Sequence, residues 1–183
     1  NEDYFHRKYV YTDDTGKYFT DNDERAIFFA RGVLETVKKL RWKPDIIHCQ
    51  GWISHFLPLY LRKVYSDDPI FTDSKVVLSL YNESLDMEFN DETRSKVLVH
   101  GIRNRDFEVF DPVNGINLAK LAIQYSNGVI IGSKELPADI EESIKSSHLR
   151  VLPYREIDHP ENSYIQDYKN FYDQILGNND KKV

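Results

Sequence analysis

The sequence is poor in several features that would otherwise decide its chemistry. It holds one cysteine, Cys49, among 183 residues. That excludes a disulfide framework and a cysteine-based zinc site, and with no signal peptide in view it makes a reducing, cytoplasmic setting the expectation. No apolar run comes near the roughly 20 residues that a membrane-spanning helix needs, so no membrane partner is expected. The formal net charge is -6, and the basic residues do not gather into a patch, which argues against a nucleic-acid or anionic-membrane surface. Also absent are the phosphate loops GxGxxG and GxxxxGKS/T, the nucleophile elbow GxSxG, the metal helix HExxH and any CxxC pair. The six histidines, at 6, 48, 55, 100, 148 and 159, include no pair four residues apart. Neither a metal nor a cofactor is expected, and no catalytic residue can be assigned. The chain opens on Asn1 and its only methionine is Met87, so it reads as a piece of a longer product that lacks its leading segment.

What is present is an alternation of helical and strand patterns. Asp21, with Glu24 three residues on, resembles a capping box, and Ile27, Ala30, Val33, Leu34, Val37 and Leu40 follow at helical spacing, predicting a helix from 21 to 40. Pro44 introduces a strand over 45–49, and Gly51 turns the chain into a helix predicted over 52–65, with Pro58 near its start. VVLSLY predicts a strand over 76–81, and both strands are apolar almost continuously, as in a parallel sheet covered on both faces. Residues 83–112 are polar and acidic, and read as an excursion over the sheet edge with one short helix. Leu118, Leu121, Ala122 and Tyr125 mark the next helix, with Gly128 read as its terminating glycine before the strand VIIGS at 129–133. A helix at 137–146 and a short strand at 150–154 complete a doubly wound pattern whose crossovers are right-handed by default. Tyr164, Ile165, Tyr168, Phe171, Tyr172, Ile175 and Leu176 form an aromatic stripe that predicts a docking helix over 161–176 rather than a cofactor box. A tail at 177–183 is expected to fray. One α/β domain over 1–183 is the expectation.

Candidate function residues follow from position. Gln50, Gly51 and Trp52 lie at the carboxyl end of one predicted strand, Tyr81 and Asn82 at the end of the next, and Ser133 at the end of the third. In a parallel sheet these ends share one rim, where small ligands sit. Aromatic faces beside amide and hydroxyl groups suit a sugar, whose C–H face stacks while its hydroxyls take hydrogen bonds. His55 lies nearly one helical turn beyond Trp52 and joins the set. Rim residues of any α/β domain are polar and aromatic, however, so a plain turn stays open as the alternative.

Several stretches together resemble a known family. NEDYFHR at 1–7, DNDERAIFFARGVLE at 21–35, PDIIHCQGW at 44–52, KVVLSLYN at 75–82 and INLAKLAIQYSNGVIIGS at 116–133 occur in the order of motifs similar to DNxxRF, PDIIHxHDWHT, TIHN and NxxKAGIxYADxVxTVS. Those motifs belong to the amino-terminal domain of starch and glycogen synthases, and the resemblance covers residues 1–145. It implies a Rossmann-like three-layer domain with a mainly parallel sheet, one half of a GT-B architecture, which elongates α-1,4-glucan from nucleotide-activated glucose. The donor would be held mainly by the other half. Where the family reads HDWH, this chain has Gln50, Gly51, Trp52 and Ile53, so the family's sugar-contacting histidine is replaced by Ile53. The family's Lys-x-Gly-Gly-Leu loop is not seen, and the residues after the last match leave no room for the nucleotide-binding domain.

Two readings compete. One is a glycogen or starch synthase-like glycosyltransferase domain, incomplete as this chain, whose partners are a glucan or sugar ligand and a nucleotide sugar shared with a missing or separate second domain. The other is a non-catalytic, glucan-binding or interaction domain derived from that family. A regulator on a generic Rossmann-like scaffold is a weaker third, because fold alone carries no function. Either way, the isolated chain is expected not to transfer glucose.

Overall fold

A computed structural model of the chain describes residues 2–83, 85–156 and 163–177. In order, the elements are α1 (Glu2–Phe5), α2 (Asn22–Lys39), β1 (Ile46–Gln50), a 3-10 turn at Trp52–Ser54, α3 (Leu57–Lys63), β2 (Lys75–Leu80), α4 (Thr93–Val97), a 3-10 segment at Asn104–Phe110, α5 (Gly115–Gln124), β3 (Gly128–Ile131), α6 (Ala138–Ser147), β4 (Arg150–Leu152) and α7 (Ser163–Leu176). The four strands form one all-parallel sheet in the order β1-β2-β3-β4. The sheet grows in one direction, and the connecting helices α3, α5 and α6 pack in one cluster on the same face, as the usual right-handed crossover requires. Val76, Leu78, Leu80 and Val129 join the main core with side chains of α2, α3, α5 and α6. Val77 and Ile130 point the other way, into a smaller cluster closed by Tyr168, Phe171, Tyr172 and Ile175 of α7. The result is the expected Rossmann-like α/β domain in three layers. Among the described residues, no helix is long and apolar enough to cross a membrane.

Several local expectations are corrected by tertiary contacts. Asp21 does not cap α2 through its side chain. Arg7 grips its carboxylate, with Nη2 2.6 Å from Oδ2, a charge-assisted bond stronger than a neutral cap. Glu24, the other half of the anticipated box, accepts from the Tyr4 hydroxyl at 3.0 Å and pairs with Lys96 at 2.8 Å. The capping residues are thus spent on tethering the opening segment to α2. Buried Arg25 reinforces the tether, its Nε donating to the Tyr4 carbonyl at 2.8 Å and its Nη1 to Asn22 Oδ1 at 2.7 Å.

The single helix predicted over 52–65 is instead the 3-10 turn followed by α3. Pro58 has no N–H to continue a ladder begun at Trp52, and it sits where a proline is tolerated, in the first turn of α3. The strand predicted to reach 154 stops at Leu152, immediately before Pro153. The excursion at 83–112 contains both α4 and the 3-10 segment, and these pack on α2 and α5 rather than lying along a sheet edge. In the docking helix, Phe171 is buried, but Tyr164 and Ile165 are exposed. Residues 161 and 162 and the tail from 178 lie outside the described residues.

Gly128 is not a helix terminator. α5 ends at Gln124 with Tyr125 as its cap residue, and Gly128 is the first residue of β3. Just before it, Asn127 fixes the β2–β3 register: the Val76 N–H donates to its Oδ1 and its own N–H donates to the Val76 carbonyl, both at 2.8 Å. Gly128 is needed because α7 comes down on it, and a Cβ there would lie 2.5 Å from Ile175 Cδ1 and 2.9 Å from Phe171 Cζ. Gly128→Ala should therefore lower unfolding free energy by about 1–3 kcal/mol, with loss of amide protection concentrated in α7. Denaturant titration with hydrogen exchange reads both, and unchanged protection across 163–176 would show that α7 does not depend on this contact.

Candidate functional site

The site grows from the end of β1. Gly51 follows Gln50 with φ 70° and ψ 158°, a backbone region open essentially to glycine alone. The turn is held by the Ser54 hydroxyl, which donates to the Gly51 carbonyl at 2.8 Å. It swings Trp52 inward, where the buried indole meets Tyr11 edge-on at 5.0 Å and Phe89 at 6.3 Å between ring centroids. The fully buried His55 follows. Neither ring nitrogen of His55 has a hydrogen-bond partner, and neither does Trp52 Nε1. Three polar atoms without partners are thus gathered at the sheet's carboxyl rim, although buried polar groups are nearly always paired.

Trp52 and His55 border a cavity of about 10 Å³ whose lining also includes Tyr11, Gly51, Tyr81 and Glu83. Four of the predicted residues, Gly51, Trp52, His55 and Tyr81, therefore meet around one space. Gln50 and Asn82 are exposed on its outside, with the Asn82 N–H held by Ser133 Oγ at 2.9 Å. Tyr81 leans across the backbone of Gly132, where a Cβ would run into its ring. The helix amino terminus expected at Gly51 is not there, since α3 begins only at Leu57. What the rim offers is side-chain polarity rather than a helix dipole. Tyr11 was not predicted, because only the fold of the opening segment over α2 brings it to Trp52, and no local pattern marks it. Glu83 was legible in principle, being two residues beyond Tyr81.

His55 and Cys49 are not poised for acid–base work at neutral pH. Complete burial pushes His55 down to about 3, so its ring is neutral, with one donor and one acceptor. Burial drives the Cys49 thiol up to about 12, which leaves it unreactive as a nucleophile. His48 lies one layer below, with Nε2 2.7 Å from Ser79 Oγ and Nδ1 2.8 Å from the Tyr172 hydroxyl. Burial lowers its pKa as well, and both partners are hydroxyls that can satisfy either tautomer. Among the described residues no group of three or more His, Cys, Asp or Glu side chains is arranged to hold a metal.

The family model for the starch synthase catalytic domain matches residues 1–152. The chain belongs to the starch and glycogen synthase family. Curated relatives of this family include a glycogen synthase of Clostridium perfringens, 32% identical over 144 residues, and one of Geotalea uraniireducens, 30% identical over 179 residues. These alignments take in 77% and 97% of this chain but only 28% and 31% of the relatives. A glycogen synthase of Chlorobium limicola is 48% identical over 83 residues, which is 45% of this chain and 17% of that protein. The chain thus spans less than a third of the length of these synthases. Among solved structures, the catalytic domain of starch synthase IV from Arabidopsis thaliana superposes with a TM-score of 0.57 at 18% identity, over 80% of this chain and 31% of that one. At that identity the likeness concerns the fold. The family match ends at Leu152, so α7 lies beyond it.

Gly51 stands where the synthase motif has Asp, and its backbone conformation explains why Asp would not be neutral here. Gly51→Asp should lower unfolding free energy by about 1–3 kcal/mol through backbone strain alone, read from a urea transition, and an unchanged midpoint would mean that the turn relaxes freely. His55 generates a pH dependence. Its folded pKa lies below the unfolded value, so the unfolded chain binds the proton first and stability falls as pH drops from about 6.5 toward 3. Replacing it by leucine should flatten that decline by about 1 kcal/mol per pH unit, measured by urea unfolding between those limits.

Proposed function

We propose that this chain is a glycogen or starch synthase-like glycosyltransferase domain that handles the glucan during α-1,4-glucan elongation, and that transfer requires a nucleotide-binding half. The observation carrying this reading is the set of unpartnered donors and acceptors on Trp52 and His55 beside Tyr81, at the rim where the family's motifs converge. A glucan hydroxyl is the natural partner for such groups, since it both donates and accepts while the sugar's C–H face lies on an aromatic ring. Gln50 and Asn82 flank the opening and complete the proposed contact set. The cavity of about 10 Å³ is far smaller than a sugar ring, so binding requires Tyr81 to swing off Gly132. The starch synthase IV domain with the similar fold was solved with ADP and acarbose bound, which supports the same two ligand types for a completed enzyme here.

A second reading, a non-catalytic glucan-binding domain, is favoured by one specific feature. Ile53 stands in the place of the family's sugar-contacting histidine and leaves that hydroxyl without a partner, at a cost of about 1–3 kcal/mol. Glycosyl transfer also needs preorganised polar groups where charge develops and where the diphosphate leaves. The two readings coincide for the isolated chain. With radiolabelled ADP-glucose or UDP-glucose and glycogen, the purified chain should give no turnover above the blank, and calorimetry should find ADP-glucose binding weaker than about 1 mM for want of a phosphate-cradling loop. Turnover by the unmodified chain would overturn the requirement for a second half. Acquisition of turnover by Ile53→His alone would also overturn it and would identify position 53 as the missing contact.

A further inference from the structure

A larger cavity of about 140 Å³ lies on the far side of Tyr81, between the ends of β3 and β4 and the first turns of α7. Its floor is Ile130 and Leu152, and its walls include Tyr81, Tyr154, Tyr164 and Tyr168. Tyr164 and Tyr168, one helical turn apart, stand edge to face at 6.2 Å, and Tyr164 remains 49% exposed on a helix whose other aromatic residues are the ones that dock. Asp167 projects into the same space. Its Oδ2 is buried and accepts no hydrogen bond, although Arg155 Nη1 lies 2.9 Å away, too poorly aligned to donate to it.

We infer that this cavity is a binding site for a single α-glucopyranosyl ring, a subsite separate from the one at Trp52 and His55. The size is that of one six-membered ring, since a cavity of about 150 Å³ takes up benzene. A nucleoside, with its base and ribose, exceeds it. Tyrosine rings offer faces for the sugar's C–H surface, and the Asp167 carboxylate, paired with Arg155 but accepting no aligned hydrogen bond at Oδ2, has a lone pair for a ring hydroxyl. Tyr81 borders both cavities, so one side chain separates the two subsites and a glucan passing over it would touch each. The choice of glucose rests on the proposed function; the cavity and its Asp167–Arg155 pair do not. Three of the polar and aromatic groups that make it, Tyr164, Asp167 and Tyr168, lie on α7, beyond the segment that the family model matches.

The experiment is a titration of the ¹⁵N-labelled chain with glucose, maltose, maltotriose and adenosine, followed by NMR and repeated for Tyr164→Ala and Asp167→Asn. Sugar should shift the amides of Ile131, Gly132, Arg155 and Asp167, and each variant should weaken that binding about tenfold with an unchanged melting temperature. Tighter binding of maltose than of glucose would identify a glucan end as the source of the ring, and equal binding a free hexose; either supports the subsite. Sugar shifts confined to Gly51–His55, unaffected by the two variants, would overturn the subsite while leaving the proposed function standing. Shifts produced by adenosine and not by sugars would overturn the assignment to a hexose. No response to any sugar at either place would overturn this inference and the glucan reading together.

Discussion

A strand kept from water on both faces must be covered twice, and β2 imposes that requirement on the whole molecule. Val76, Leu78 and Leu80 look into the large core while Val77 looks into the small one, and all are buried. The first cover follows from right-handed crossovers, which lay α3, α5 and α6 side by side on one face beside α2. The second must come from elsewhere in the chain, and α7 supplies it by returning across Gly128, where the absence of a side chain lets Phe171 and Ile175 approach the sheet. Removal of apolar surface from water, worth about 25 cal/mol per Å², is the driving force on both sides.

That second cover also shapes the chemistry of the rim. By bringing Tyr172 to His48, α7 satisfies a half-buried imidazole that would otherwise face an open sheet surface. By bringing Tyr164, Asp167 and Tyr168 to the ends of β3 and β4, it builds a second aromatic space next to the first. One helix thus both covers the sheet and lines the rim. The large core meanwhile leaves three polar atoms of Trp52 and His55 without partners, an arrangement that costs stability.

The opening segment shows the same economy in another way. Acidic residues that could have capped α2 instead bind Arg7, Tyr4 and Lys96, and buried Arg25 joins α1 to α2. The consequence is felt at a distance: this tethered segment carries Tyr11 over to Trp52 and so forms one wall of the site.

Family, α/β class and the positions of the four strands were legible in the sequence, because near-continuous apolar runs and helical periodicity are local signals set by burial. Gly51, Trp52 and Tyr81 were legible as rim residues for the same reason, since the end of a strand can be read from where its apolar run stops, whereas His55 was reached only from its spacing to Trp52. What the sequence could not determine is which competing partner each polar group would choose. Asp21 took Arg7 over the helix end, Gly128 served packing rather than termination, and Pro58 split a predicted helix into two. The sizes of the two spaces beside Tyr81, and the pairing of Asp167 with Arg155, were likewise decided only by tertiary structure. Both depend on how α7 lies across a sheet whose strands are far from it in sequence, and no local periodicity carries that information.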